Sequence, residues 1–208
     1  ARWDKLKTIG RLSGNKNSMN LIYETLKTGN FSIAEKSNYF FDDIQGNKYE
    51  YSINNVASLY ELKSVNGRFF EPDKIATVGD AVKFMLDVLQ YDYSNNYMTV
   101  AAKAKIIEAA DIYSANEACT REKAIAMVVG VYGKKSGQSR LAPTSQNINI
   151  FSDMNEISDV YKDKVLFAIE NGMVTRRGGE MLGPKDQITR GEIMELLERA
   201  LALNGEIE

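Results

Sequence analysis

Three stretches of this chain carry the same punctuation, and that recurrence constrains the fold more than any single residue. The clearest copy is the last. Phe151-Ser152-Asp153-Met154 opens it, an apolar stripe at Val165, Ala168 and Ile169 follows, and Asn171-Gly172-Met173-Val174 closes the stripe. A polar loop then leads to Pro184 and, five residues later, to Thr189-Arg190-Gly191-Glu192, where a strongly periodic stretch begins. The first copy runs Phe41-Asp42-Asp43-Ile44, then Val56, Leu59 and Tyr60, then Val65-Asn66-Gly67; its Pro72 is again five residues before Thr77-Val78-Gly79-Asp80. A shortened middle copy keeps the apolar pattern and Thr120-Arg121-Glu122-Lys123. A period of roughly 50 residues with two helices and a loop per unit predicts an all-α repeat protein, in which no unit buries its core alone.

The second helix of each copy has the strongest periodicity. Val82, Met85, Leu86 and Leu89 form one stripe, and Ile125, Val128, Val129 and Tyr132 another. Ile193, Leu196, Leu197, Ala200 and Leu201 form the third. Thr77 with Asp80 and Thr189 with Glu192 have capping-box spacing, hydroxyl to the third backbone N–H and carboxylate back to the cap N–H. An acid there also suits the helix dipole. At Thr120 the box is broken, because Lys123 holds the acidic position and Glu122 lies one residue early. The middle copy has also lost most of its loop: Ile112 to Thr120 spans 8 positions, against 16 from Met173 to Thr189.

Residues 1–40 lie outside the repeats. Trp3, Leu6 and Ile9 suggest one short helix; Met19, Ile22, Tyr23 and Leu26, between Ser18 and Gly29, suggest another. They either pack on the repeats or end an upstream domain. The divisions expected are therefore 1–40, a first repeat at 41–90, a shortened repeat at 91–133, a Gly/Ser/Gln/Asn-rich linker at 134–150 and a third repeat at 151–208. Short β segments around Phe41 and Phe151 are a further reading of the same residues.

Composition removes several function classes. The 208 residues hold 26 Lys+Arg against 28 Asp+Glu, a net charge of −2, so the cationic footprint of nucleic-acid binding is missing. No apolar run approaches the ~20 residues that cross a bilayer. The chain begins at Ala1, consistent with a processed end or an excised fragment. With no histidine, Ser-His-Asp and Cys-His nucleophiles are excluded, and the single Cys119 forms no intrachain disulfide. Asp42-Asp43 and the Asp153/Glu156/Asp159 cluster lack calcium-loop spacing and read as solvated acids. Gly133-Lys134-Lys135-Ser136 lacks the upstream glycine of a phosphate loop and reads as a linker charge pair. No carboxylate pair stands out among the acids as a glycosidase pair. The chain reads as a non-enzyme that needs no cofactor or metal.

Arg190 and Arg121 each follow a capping threonine at a helix N-terminus, where a cation opposes the dipole. Either each pairs with a nearby acid such as Glu192, contributing little, or each aims with the backbone N–H groups at an anion.

These residues together resemble the S-layer homology repeat, a module that fastens bacterial surface proteins to the cell wall. Ile188-Thr189-Arg190-Gly191-Glu192 matches four of five residues of that family's Ile-Thr-Arg-Ala-Glu helix start. The Phe-x-Asp openings at Phe41 and Phe151 match its first motif, and the likeness extends over about 41–203. The resemblance implies three repeats in a pseudo-threefold spindle around a central helical bundle, plus N-terminal helices. It implies an extracellular, cell-wall or S-layer location within a larger surface protein. It also implies that grooves between repeats bind a secondary cell-wall polysaccharide that is anionic, in some cases through a pyruvate ketal. By position, the ligand-contacting arginine of the family falls on Arg190 and Arg121, supported by Thr189, Glu192, Thr120 and Thr77. Asp43 and Asp153 would order the loop or accept sugar hydroxyls. Val78 stands where the first copy would carry an arginine, so at most two grooves would bind, and Tyr113 or Tyr161 would provide stacking. The first helices, near 53–64, 99–110 and 160–171, would pack centrally with the second helices outside. The alternative is a structural or protein–protein module that has kept this fold and lost the sugar.

Overall fold

The computed structural model describes residues 41–207 apart from 64, 66, 140 and 146–149; the two helices expected within 1–40 lie outside the described residues. Six α-helices follow in order: α1 (Glu50–Leu59), α2 (Val78–Val88), α3 (Tyr97–Lys103), α4 (Arg121–Ser136), α5 (Asp159–Glu170) and α6 (Arg190–Leu203). Single 3₁₀ turns lie at Ala109–Tyr113 and Met154–Glu156. Among the described residues there is no strand, only isolated bridges, so the class is all-α.

The caps form where the hydroxyl and the acid are three residues apart. Thr77 accepts from the Asp80 N–H while the Asp80 carboxylate accepts from the Thr77 N–H, and Thr189 and Glu192 do the same. At Thr120 the hydroxyl is buried without a hydrogen-bond partner. Its neighbours have other work: Lys123 pairs with Asp111 at 2.9 Å, and Glu122 accepts from the N–H of Ser158, the N-cap residue of α5, at 2.8 Å. Helix α4 runs through Ser136 into the stretch expected as linker. Lys134 and Lys135 complement the carbonyl end of its dipole, and Gly137 stops it in the left-handed conformation at φ 72°.

A ring of three backbone hydrogen bonds ties the starts of the second helices together. Ala76 N–H donates to Ile188 O at 2.9 Å, Ile188 N–H to Cys119 O at 3.0 Å, and Cys119 N–H to Ala76 O at 2.9 Å. The first two N–H groups of each helix, which have no partner inside the helix, are satisfied from a neighbouring loop. Val78 and Gly79 donate to Glu117 and Ala115, Arg121 and Glu122 to Asp186 and Pro184, and Arg190 and Gly191 to Lys74 and Pro72. These donors are therefore spent on the fold and do not converge on an anion.

Packing inverts the expected layering. The second helices α2, α4 and α6 touch one another, while α1 packs on α6, α3 on α2 and α5 on α4. The reason is the breadth of the apolar faces. Helix α4 buries residues on every side, from Ala124 to Gly133, whereas α1 buries only Ser52, Ile53, Val56 and Ala57. Helix α3 is short, because Lys105 turns out of helical conformation at φ 58°.

Candidate functional site

The arginine that opens α4 lies at the base of a groove. Arg121 is 2 % exposed, and its Nη2 donates to the Thr175 carbonyl at 2.8 Å. Its Nη1 lies 3.9 Å from Glu192, and its Nε has no hydrogen-bond partner. Burial, then the nearby Arg177 cation, pushes its pKa below the ordinary arginine value. Glu192 is a weak partner because it is already engaged. It accepts from the Thr189 N–H in the capping box and is paired with Arg177. Arg177 also donates from Nε to Asp186 at 3.2 Å and from Nη2 to the Gln187 carbonyl at 2.8 Å. A buried guanidinium with so little compensation is costly.

The groove above it has a volume of about 570 Å³ and runs between the start of α1 and the outer face of α6. Lys48, Arg121, Arg176, Arg177 and Arg199 line it against Glu192, Glu195 and Glu198, so a chain of net charge −2 presents a cationic excess here. Tyr49 and Tyr51 form the α1 wall, and Tyr51 is 63 % exposed, an aromatic face open to solvent. Gly191 lets this wall close. A Cβ there would lie 2.2 Å from Tyr49 Cδ2 and 3.0 Å from the Pro72 carbonyl oxygen, so the alanine of the family motif does not fit.

The equivalent arginine of α6 is enclosed. Arg190 is 6 % exposed, and its guanidinium carbon lies 5.2 Å from the Phe70 ring centroid and 5.0 Å from that of Phe84. Its Nε donates to the Phe70 carbonyl at 2.8 Å, and its Nη1 is 3.5 Å from Asp80. Two rings and two oxygens thus surround its guanidinium. At the third position Val78 is fully buried. The groove beside the loop after α3 has a volume of about 790 Å³ and is lined by Lys105, Lys134, Lys164, Leu141 and Val160 among others.

Asp43 and Asp153 hold loops. Asp43 accepts from the N–H groups of Phe70 at 2.7 Å and Glu71 at 2.6 Å; Asp153 accepts from Leu182 at 2.8 Å and Gly183 at 2.7 Å. Burial alone would raise the Asp153 carboxyl, but these bonds and its own backbone N–H bring it below its ordinary value. Of the stacking candidates, Tyr113 is 94 % exposed and away from both grooves. Tyr161 is buried and donates to Asp111 at 3.1 Å, so it offers no face. The groove residues that motif matching missed are Tyr49, Tyr51, Arg176, Arg177 and Arg199. The signal that could have flagged two of them is the Arg176-Arg177 pair that follows Met173-Val174-Thr175.

Among the described residues, no cluster of three or more His, Cys, Asp or Glu could hold a metal, and no helix is long and apolar enough to cross a membrane. No curated protein matches the chain. The family model of the S-layer homology domain matches residues 150–194, from Ile150 through Asp153 and α5 to the capping box and first turn of α6. S-layer homology domains are in general non-catalytic modules of cell-wall and S-layer anchoring, and residues 150–194 of this chain are similar to that family.

Proposed function

We propose that the chain is a three-repeat S-layer homology module at the cell surface that anchors a larger protein by binding an anionic cell-wall polysaccharide, without catalysis. The repeats are 41–90, 91–133 and 151–208, with 134–150 as the connection. The cyclic pairing of α1 with α6, α3 with α2 and α5 with α4, and the three-membered hydrogen-bond ring, support a pseudo-threefold spindle. Its centre is then the second helices.

The binding site in this reading is the single groove between α1 and α6. The observation that carries it is Arg121: a buried, under-compensated guanidinium at the base of an open, cation-rich groove with an exposed tyrosine on its wall. A carboxylate from a pyruvate ketal or uronic acid would supply the missing counter-charge, and Tyr51 would stack on a sugar face. Arg190 holds α6 against the Phe70 loop instead of touching ligand, and Asp43 and Asp153 order the loops beside the grooves. Co-sedimentation with purified bacterial cell-wall sacculi tests the reading. Wild type should sediment, and sacculi stripped of their polysaccharide should release it. A chain that sediments equally with stripped sacculi would overturn it.

The alternative, a protein–protein module of the same fold, draws on the two positions at Arg190 and Val78 that offer no ligand contact. A stable complex with a protein partner that masks Tyr51 and Arg176, without glycan binding, would favour it.

A further inference from the structure

The α1/α6 groove is electrically two-ended. Arg121, Arg176 and Arg177 line it beside the first turn of α6, and Glu195, Glu198 and a single cation, Arg199, lie further along the helix. From Glu192 to Glu198 is six residues, about 9 Å along a helix at ~1.5 Å per residue. The three acids are not equivalent. Glu192 is consumed by the Thr189 cap and Arg177, and Glu195 is paired with Arg199 at 3.2 Å. Glu198 is half-buried and, among the described residues, accepts no hydrogen bond or ion pair. A purely anionic ligand lying along the groove would meet attraction at one end and repulsion at the other.

We propose that the groove takes a polysaccharide carrying charges of both signs, with an acidic substituent against Arg121 and Arg176 and the protonated amine of an unacetylated amino sugar against Glu198. This rests on the glycan-binding reading above and adds the second charge. Two independent features point to it: the under-compensated Arg121, buried and lining the floor, and the unpaired carboxylate on the wall beyond it. Burial raises the Glu198 carboxyl above its ordinary value, opposed by Arg199 and reinforced by Glu195, which is the behaviour of an acid short of a cation. Tyr51, exposed on the opposite wall, would hold the sugar ring between the two charges.

The experiment measures binding of wild type and Glu198→Gln to polysaccharide released from cell-wall sacculi, in three forms. These are native, N-acetylated with acetic anhydride, and carboxyl-reduced. Glu198→Gln preserves shape at a half-exposed site, so folding should be unaffected. N-acetylation is expected to weaken wild-type binding about fivefold, as a partly exposed ion pair allows. Glu198→Gln should lose the same factor on native polymer and nothing more on acetylated polymer. If carboxyl reduction abolishes binding while N-acetylation leaves it unchanged, the anionic reading stands and the two-charge proposal falls. If Glu198→Gln binds native polymer more tightly, Glu198 repels the ligand and the proposal also falls. If neither treatment matters, both readings are overturned.

Discussion

Arg121 and Arg190 occupy the same place in the motif, the first helical residue after a capping threonine, and their surroundings differ completely. Arg190 meets Phe70 from the loop of a neighbouring segment and Phe84 from α2, and an oxygen satisfies its Nε. Arg121 meets the backbone of Thr175, which brings no ring, and its Nε is left without a partner. A short motif fixes where the side chain leaves the helix; the loop that crosses it decides whether it is packing or a binding surface. Here two rings pack on Arg190, which is why we propose a packing role for Arg190 and a ligand role for Arg121.

The contrast breaks most sharply at Arg190. Arg190→Ala should remove a ring sandwich and two polar contacts, costing about 2–3 kcal/mol of stability, or roughly 4–12 °C in Tm for a chain this size. Circular dichroism melts check this. Glycan affinity of the folded variant should not change, and a variant that keeps its Tm while losing binding would reverse the assignment. Arg121→Lys should do the opposite. The charge remains but the planar fork is lost, so affinity for acidic polysaccharide should fall about tenfold, near 1.4 kcal/mol, by calorimetric titration, with the smaller shift in Tm.

Gly191→Ala restores the family's residue and should still be harmful. The new methyl group drives into the Tyr49 ring, with an overpacking cost of about 1–3 kcal/mol and a displaced groove wall. A crystal structure of the variant showing Tyr49 unmoved would contradict this. The smallest effect is at Asp153. Its carboxyl pKa is lowered on folding, so its stabilising contribution is complete above its ordinary value of 3.8 and fades as pH falls through the lower folded value. Asp153→Asn should lose about 1–2 kcal/mol at neutral pH. Its denaturant midpoint should then decline less than that of wild type between pH 5 and pH 3.

The sequence made the second helices and two of their caps legible, because Thr77/Asp80 and Thr189/Glu192 are local devices with a fixed spacing. It did not reveal which helices lie centrally. That depends on how α1, α3 and α5 each cross to a helix of another segment, a long-range pairing that a count of small residues does not encode. The groove was half legible: Arg121 stood out from its motif, whereas Tyr51 and Arg176 become neighbours only once α1 packs on α6. Tyr161 misled for the same reason, since Asp111, fifty positions away, takes its hydroxyl. At the edge of the stretch read as linker, Gly133 lies within α4 and leaves room for Leu141, a tertiary contact that glycine content alone does not encode.

The central claim is that one groove, between α1 and α6, attaches the protein to the wall. Its most direct test is co-sedimentation with polysaccharide-bearing sacculi across two double variants of exposed residues, Tyr51→Ala/Arg176→Ala in that groove and Lys105→Ala/Lys134→Ala in the groove beside α4. The first pair should weaken binding at least tenfold, near 1.4 kcal/mol, with the fold intact, and the second should bind as wild type does. Binding lost only with the second pair, or kept with both, would contradict the account.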